Sequence, residues 1–410
     1  MKNDGRYRPL PVRLVNALGS LTNSERWIER NLDANALLDL ARERTQLEDF
    51  GPEDFLEPFH LLVASYRKEA QLNFVGRLSA KTYLLQLLEN RLRVERDRKR
   101  HPEISAQEIH SPVFILGLPR TGSTLLFELM AQDPGLRVPM SWEVMLPSPP
   151  PQAQTFQHDS RIKKAQRMFN WVDRIAPDFK HIHEVGSLRP QECLAITAQA
   201  FRSIQFHTTN NVPTYQAWLN QADLTPAYLY HRRMLQHFQA FGPKGVWLLK
   251  APAHLFGIEA IFRVYPDARI VQTHRDPLRV IGSISSHCLS LRQAFSEHLD
   301  LKSIGSTWCS LWSLGLERTL QFRRDHPELE QRFMDISYEE LTADPVAAAV
   351  KIHERFSLSL DPGPLGQFRD YLTSHPKDRH GAHRYRLEDY GLTAQKVWEY
   401  FGNVKSAAPS

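Results

Sequence analysis

The stretch Val113-Phe-Ile-Leu-Gly-Leu-Pro-Arg-Thr-Gly-Ser-Thr124 decides how the rest of this 410-residue chain is read. Val113 to Leu116 is a short apolar run bounded by Pro112 and Gly117, the pattern of a strand buried in a parallel sheet. Residues Thr124 to Gln132 read as a helix, so the unit is strand, glycine-containing turn, helix. Gly117 to Thr124 fits G-x-x-x-x-G-S-T, and inward-facing amides at a helix N-terminus bind an anion. A nucleotide triphosphatase loop carries lysine where Ser123 stands, because that lysine reaches the β- and γ-phosphates. Here the positive charge is Arg120, inside the loop. Taken alone, the motif fits an anion cradle and a ligand-free glycine turn equally well.

Working outward, the alternation repeats. Val246 to Lys250 predicts a second strand, followed by a helix over about 253–264. Ala268 to Thr273 predicts a third strand, and a helix opens at Asp276-Pro277, with Asp at the N-cap and proline at the first helical position. Arg332 to Ser337 predicts a fourth strand, with a helix from Tyr338. Strands separated by helices imply an α/β fold with a mostly parallel, P-loop-like central sheet flanked by helices.

Two regions fall outside that alternation. Residues 22–98 read as helices, giving an N-terminal helical region over 1–105 ahead of the main domain at 106–410. The charged run Arg91 to Arg100 reads as a solvated helix end. Prolines 147 and 149–151 interrupt the chain, and helical patterns resume near 161–174 and 191–206. The segment of about 145–240 is expected to be a helical insertion covering the active face.

Composition narrows the classes. Hydrophobic residues make up 42% and the net charge is +5, spread without a basic tract, which suits an anionic small ligand. No alternation of aromatic and basic residues and no helix-turn-helix spacing appears, so no nucleic-acid partner is expected. The three cysteines, Cys193, Cys288 and Cys309, form no metal-binding or disulfide pattern. With no signal core and no apolar run long enough to span a bilayer, a cytoplasmic location without a transmembrane segment is expected.

Two motifs together carry a family resemblance. Pro119-Arg-Thr-Gly-Ser-Thr-Leu-Leu126 resembles the 5′-phosphosulfate loop of sulfotransferases that use 3′-phosphoadenosine 5′-phosphosulfate (PAPS), in the arginine version of carbohydrate- and tyrosylprotein-type members. His274-Arg-Asp-Pro-Leu-Arg-Val-Ile-Gly-Ser283 resembles the family's 3′-phosphate site, an arginine ending a strand and a serine on the next helix. The resemblance spans about 111–400; the first hundred residues match no family. It implies sulfuryl transfer from PAPS to an acceptor hydroxyl or amine without a metal, with Arg120, Thr121, Gly122, Ser123, Thr124, Arg275 and Ser283 holding the donor. The physics agrees for Arg275, which falls beyond the carboxyl end of a strand, where open α/β sheets bind ligands, and whose fork suits a phosphate.

For chemistry the resemblance points to Glu143, in Ser141-Trp-Glu-Val144, as general base, and to Lys250 as the cation stabilising the transferring group alongside Arg120. His183 and Glu184, in His181-Ile-His-Glu-Val185, compete as bases or acceptor contacts. Arg384 and Tyr385, in His380-Gly-Ala-His-Arg-Tyr-Arg386, resemble a bacterial segment that closes over the nucleotide. The alternatives are a P-loop kinase, against which the missing lysine counts, and a degenerate P-loop module that binds adenosine 3′,5′-bisphosphate without catalysis. The acceptor stays open among small molecules, carbohydrates and lipid alcohols, and so does the oligomeric state. Trp171, Phe201, Tyr215 and Trp218 are candidates either for an acceptor pocket or for plain core.

Overall fold

The computed structural model describes residues 10–20, 32–175, 186–359, 362–375 and 385–402. Five parallel strands form one sheet: β1 (Val113–Gly117), β2 (Leu136–Arg137), β3 (Val246–Lys250), β4 (Arg269–His274) and β5 (Phe333–Ser337), in the order β2-β3-β1-β4-β5. Val113 lies opposite both Leu248 and Arg269, and Ile270 opposite Phe333. All strand carboxyl ends therefore share one edge. After β1 the chain builds the β3 side of the sheet and then returns to the β4 side. The loop that follows β1 sits where strand order reverses, the ligand crevice of open α/β sheets.

Alternation along the strands separates two cores. Phe114, Leu116, Trp247, Leu249 and Ile270 face one way, toward helices at Thr225–Gln239, Ile258–Val264, Pro277–Phe295 and Leu301–Asp325. Val113, Ile115, Leu248, Val271 and Ile336 face the other, toward helices at Ser123–Met130, Tyr338–Ala343 and Pro345–Phe356. Each large buried side chain contributes about 1.5–3 kcal/mol. The expected strands thus form within one residue of their predicted bounds. The sequence reading missed β2, because two residues offer no period to detect.

Ahead of the sheet in the chain stand the N-terminal helices Leu10–Ser20 (α1), Ala34–Thr45 (α2), Leu56–Lys68 (α3) and Phe74–Arg100 (α4). Phe55, Phe59, Leu84 and Leu88 share a core with Phe201, Phe206, Val212 and Tyr215 from the insertion. Phe201 and Tyr215 are therefore core residues. The run Arg91–Arg100 is not a solvated helix end. Arg91, Asp97 and Arg98 are buried, because α4 lies between two layers of protein and its cations meet backbone carbonyls there. Arg91 donates to Gln199 O at 3.0 Å and Pro52 O at 2.9 Å, with its guanidinium between the rings of Phe55 and Tyr230. Arg233 pairs with Glu95 at 2.5 Å. These contacts tie α4 to the helix at Thr225–Gln239.

In the insertion, the helix expected near 191–206 is broken. It forms Cys193–Ala198 and Gln205–Thr209, with Phe201 between them at φ +53°. A bulky residue in that region interrupts helical hydrogen bonding.

Candidate active site

The loop after β1 is locked from below. Gly117 has φ +144°, and a Cβ there would stand 2.3 Å from Thr273 O, so only glycine lets β1 and β4 close at this point. The buried Thr121 hydroxyl meets Leu118 O at 2.7 Å and the Thr273 hydroxyl at 2.6 Å. Arg120 takes a left-handed φ of +65°, and Gly122, at φ +82°, caps α5 (Ser123–Met130). The amides opening α5 thus lie at the crevice, with Ser123 and Thr124 in its first turn.

Arg275 faces this loop, close to the loop's own Arg120. Arg275 follows β4 and donates from Nη1 to Arg120 O at 2.7 Å. Its guanidinium lies 3.7 Å from the centre of the Tyr338 ring, a cation–π contact that fixes the fork's plane. Surrounding protein and the nearby Arg275 push the Arg120 guanidinium below its ordinary value, although its side chain opens to solvent. Two cations held this close are what a polyanion would relieve. Helix Pro277–Phe295 starts as expected, with the Asp276 side chain accepting from Leu278 N at 2.8 Å. Ser283 lies on it, buried. A Cβ at Gly282 would stand 2.4 Å from the Tyr385 ring, and the Tyr385 hydroxyl donates to Arg279 O at 2.9 Å. The sequence pattern therefore brings Arg120, Arg275, Ser283 and Tyr385 to one region. Arg384, His183 and Glu184 lie outside the described residues.

Lys250 ends β3 and is almost fully buried. Its ammonium donates to the Thr124 hydroxyl at 2.9 Å and forms an ion pair with Glu192. Glu192 keeps 19% of its side chain exposed and precedes the helix Cys193–Ala198. Sequence reasoning missed it, because a glutamate sixty-eight residues downstream of the loop carries no motif. The only signal available was its place opening a helical pattern after Arg189-Pro-Gln191.

Glu143 is placed differently from the expectation of a base facing the crevice. Arg137, on β2, donates from Nη2 to both its oxygens at 2.7 and 2.6 Å, and the Met140 amide donates to Oε1 at 2.8 Å. Glu143 has no exposed surface. Burial pushes its carboxyl up in pKa, opposed by Arg137 and the Met140 amide. Arg137 is itself sandwiched against Phe156 and Trp247. The two acids are linked through the backbone: Ser141 N donates to Arg189 O at 2.9 Å and Gln191 N to Pro139 O at 2.7 Å. The strip that ends at Glu192 thus lies on the strip that precedes Glu143.

A small cavity of about 40 Å³ borders Cys193 and Ala251, the residues that follow Glu192 and Lys250 in the chain, and is lined further by Leu219, Tyr228 and Phe256 with the polar Arg202 and Gln216. Among the described residues, His254 Nε2 and Gln216 Oε1 beside it have no hydrogen-bond partner. Among the described residues no group of three or more His, Cys, Asp or Glu side chains could hold a metal ion, and no helix is long and apolar enough to cross a membrane.

The fold has counterparts among known proteins. Sulfotransferase STF1 from Mycobacterium tuberculosis H37Rv is 30% identical, with a TM-score of 0.80, over 90% of this chain and 99% of that one. Sulfotransferase STF9 from Mycobacterium avium is 29% identical, with a TM-score of 0.83, over 91% and 96%. Omega-hydroxy-beta-dihydromenaquinone-9 sulfotransferase Stf3 from Mycobacterium bovis is 26% identical over 313 residues, 72% of this chain and 74% of that one. Residues 112–362 match the profile of the Sulfotransferase family. The chain belongs to that family and is a sulfotransferase, an enzyme of sulfuryl transfer.

Proposed function

We propose that the chain transfers a sulfuryl group from PAPS to the hydroxyl of a largely apolar alcohol, with Glu192 as the general base. The observation that carries this is Lys250, whose ammonium joins Thr124 of the anion loop to Glu192. A cation at that junction touches the loop that would hold the donor's sulfate end and the carboxylate that would face the acceptor. Donor binding fits the residues present: loop amides with Arg120 suit the 5′-phosphosulfate, and Arg275 with Ser283 suits the 3′-phosphate.

In the transfer, the acceptor O–H gives its proton to Glu192 while its oxygen bonds to sulfur. The bond from sulfur to the 5′-phosphate breaks, and the phosphate keeps the electron pair. Lys250 and Arg120 neutralise the charge spread over the sulfuryl oxygens and the leaving oxygen. Glu192 is preferred to Glu143 because a base must touch the proton it takes. Glu192 has exposed surface; Glu143 is enclosed with Arg137 and orients the strip beneath.

The acceptor class rests on the cavity's apolar border and on the lipid alcohol named for Stf3. With so little room in this conformation, such an acceptor must part the side chains around it as it enters.

Adenosine 3′,5′-bisphosphate should raise the melting temperature without magnesium, and Arg275→Ala should weaken its binding by about tenfold or more, the worth of a charged hydrogen bond. Glu192→Gln should retain that binding and lose about 10²–10⁴-fold in turnover, the usual contribution of a positioned base. Stabilisation only by magnesium-ATP would overturn the donor assignment. Full activity in Glu192→Gln would return the base to Glu143 or His183.

A further inference from the structure

The helix Ser160–Ile175 (called the cover helix below) has a face that neither the donor nor the acceptor site uses. At about 100° per residue, Lys163, Arg174, Arg167, Trp171 and Lys164 fall in that order within an arc of about 100°. All five are exposed, and Trp171 is 60% exposed. No carboxylate shares the arc. The opposite side is anchored: Ala165 and Ile162 pack with Trp142 and Phe156, and Arg161 lies over the Trp142 ring at 4.7 Å. Gln166 accepts from the Ser187 amide at 3.0 Å, which joins the cover helix to the strip that ends at Glu192. Leu188, next on that strip, is 50% exposed.

Four cations around one exposed tryptophan, on a helix held firmly from behind, match a surface that is both anionic and able to take an indole ring. We infer that this face docks on an anionic lipid surface, with Trp171 entering the headgroup region and the four cations meeting lipid phosphates. Charge complementarity selects this occupant, since a second copy of the same face would be repelled. Its consequence for turnover, uptake of an amphiphilic alcohol from the bilayer beside Glu192, rests on the acceptor reading above; the docking itself does not.

The test uses the full chain and vesicles of phosphatidylcholine, alone or with about a third phosphatidylglycerol. Partitioning should be at least about tenfold stronger on the anionic vesicles and should fall steeply with salt. Combined Lys163→Glu, Arg167→Glu and Arg174→Glu should lower it about 100-fold, and Trp171→Ala about fivefold, with melting temperature and adenosine 3′,5′-bisphosphate affinity unchanged. Should the charge-reversed protein fail to fold, single Lys163→Gln and Arg167→Gln variants should each still weaken partitioning severalfold. Equal partitioning on both vesicle types, no loss in the variants, or self-association through Trp171 would overturn the inference. Because no turnover is read, loss of the donor or base assignment leaves this result standing, and the reverse also holds.

Discussion

Glu143 and Glu192 show how little a residue's name and spacing say about its role. Both carboxylates pair with a cation, yet Arg137 and Glu143 are enclosed together, whereas Glu192 meets Lys250 at the crevice. Removing one partner of an enclosed pair strands the other charge, at a cost of about 3–5 kcal/mol. Glu143→Gln should therefore lower stability by that order in urea unfolding, with activity falling only as folded protein is lost. Glu192→Gln should remove turnover and, because it leaves the almost fully buried Lys250 ammonium with neutral partners only, should also lower the unfolding midpoint. A stable, inactive Glu143→Gln protein would show that the buried acid turns outward during the reaction. The loop, Arg275 and Lys250 were legible in the sequence because each stands at a strand end, and strand ends follow from apolar runs; Ser283 was legible from its place on the helix that Asp276-Pro277 opens. The difference between the two glutamates was not, because it depends on Arg137 and on a two-residue strand that has no periodic signature.

At the scale of elements, helix Pro277–Phe295 would carry the 3′-phosphate side of the proposed donor site, and its glycine has a specific use. Gly282, which precedes Ser283, lets the Tyr385 ring come up against the helix, with Leu387 beside it. Gly282→Ala would gain about 0.5–1 kcal/mol of helix propensity. It would also push the tyrosine ring away, since the new methyl lies 2.4 Å from it. The expected outcome is adenosine 3′,5′-bisphosphate binding weakened by about tenfold with the melting temperature little changed; unchanged affinity would remove Tyr385 from the nucleotide site. The helices here were readable from capping signals such as Asp276-Pro277. The charge run on Phe74–Arg100 misled, because charges predict solvent only where no second layer of protein covers them. The covering layer comes from residues more than a hundred positions away, such as Arg233 and Gln236, and local pattern carries no trace of it.

Across the whole molecule, four histidines set the response to acid. His207, His231, His237 and His254 are buried. Burial lowers His231 to about 3 and His237 to about 4. Burial also holds His207 and His254 well below the ordinary value, helped by Arg292 at His207 and by His231 and Lys250 at His254. Each therefore stays neutral in the fold while its unfolded counterpart takes a proton below about pH 6.5. A folded pKa below the unfolded one means the contribution is present above the unfolded value and is lost as pH falls toward the folded one. The loss is about 1.4 kcal/mol per histidine per pH unit, so the four together cost about 5 kcal/mol between pH 7 and 5.5. Against a total stability of about 5–15 kcal/mol, that brings the protein close to unfolding. Urea unfolding at pH 7, 6 and 5.5 should show the steep decline. His237→Gln, which keeps a donor for the Pro147 carbonyl now 3.0 Å from His237 Nε2, should remove about a quarter of it. A flat profile would mean that these rings accept protons without unfolding. The sites packed against them, His254 beside the small cavity and His231 between Tyr228 and Tyr265, would then have to open to water in the native state. That result would also change how an acceptor is taken to enter, since the same movement would widen the cavity at neutral pH.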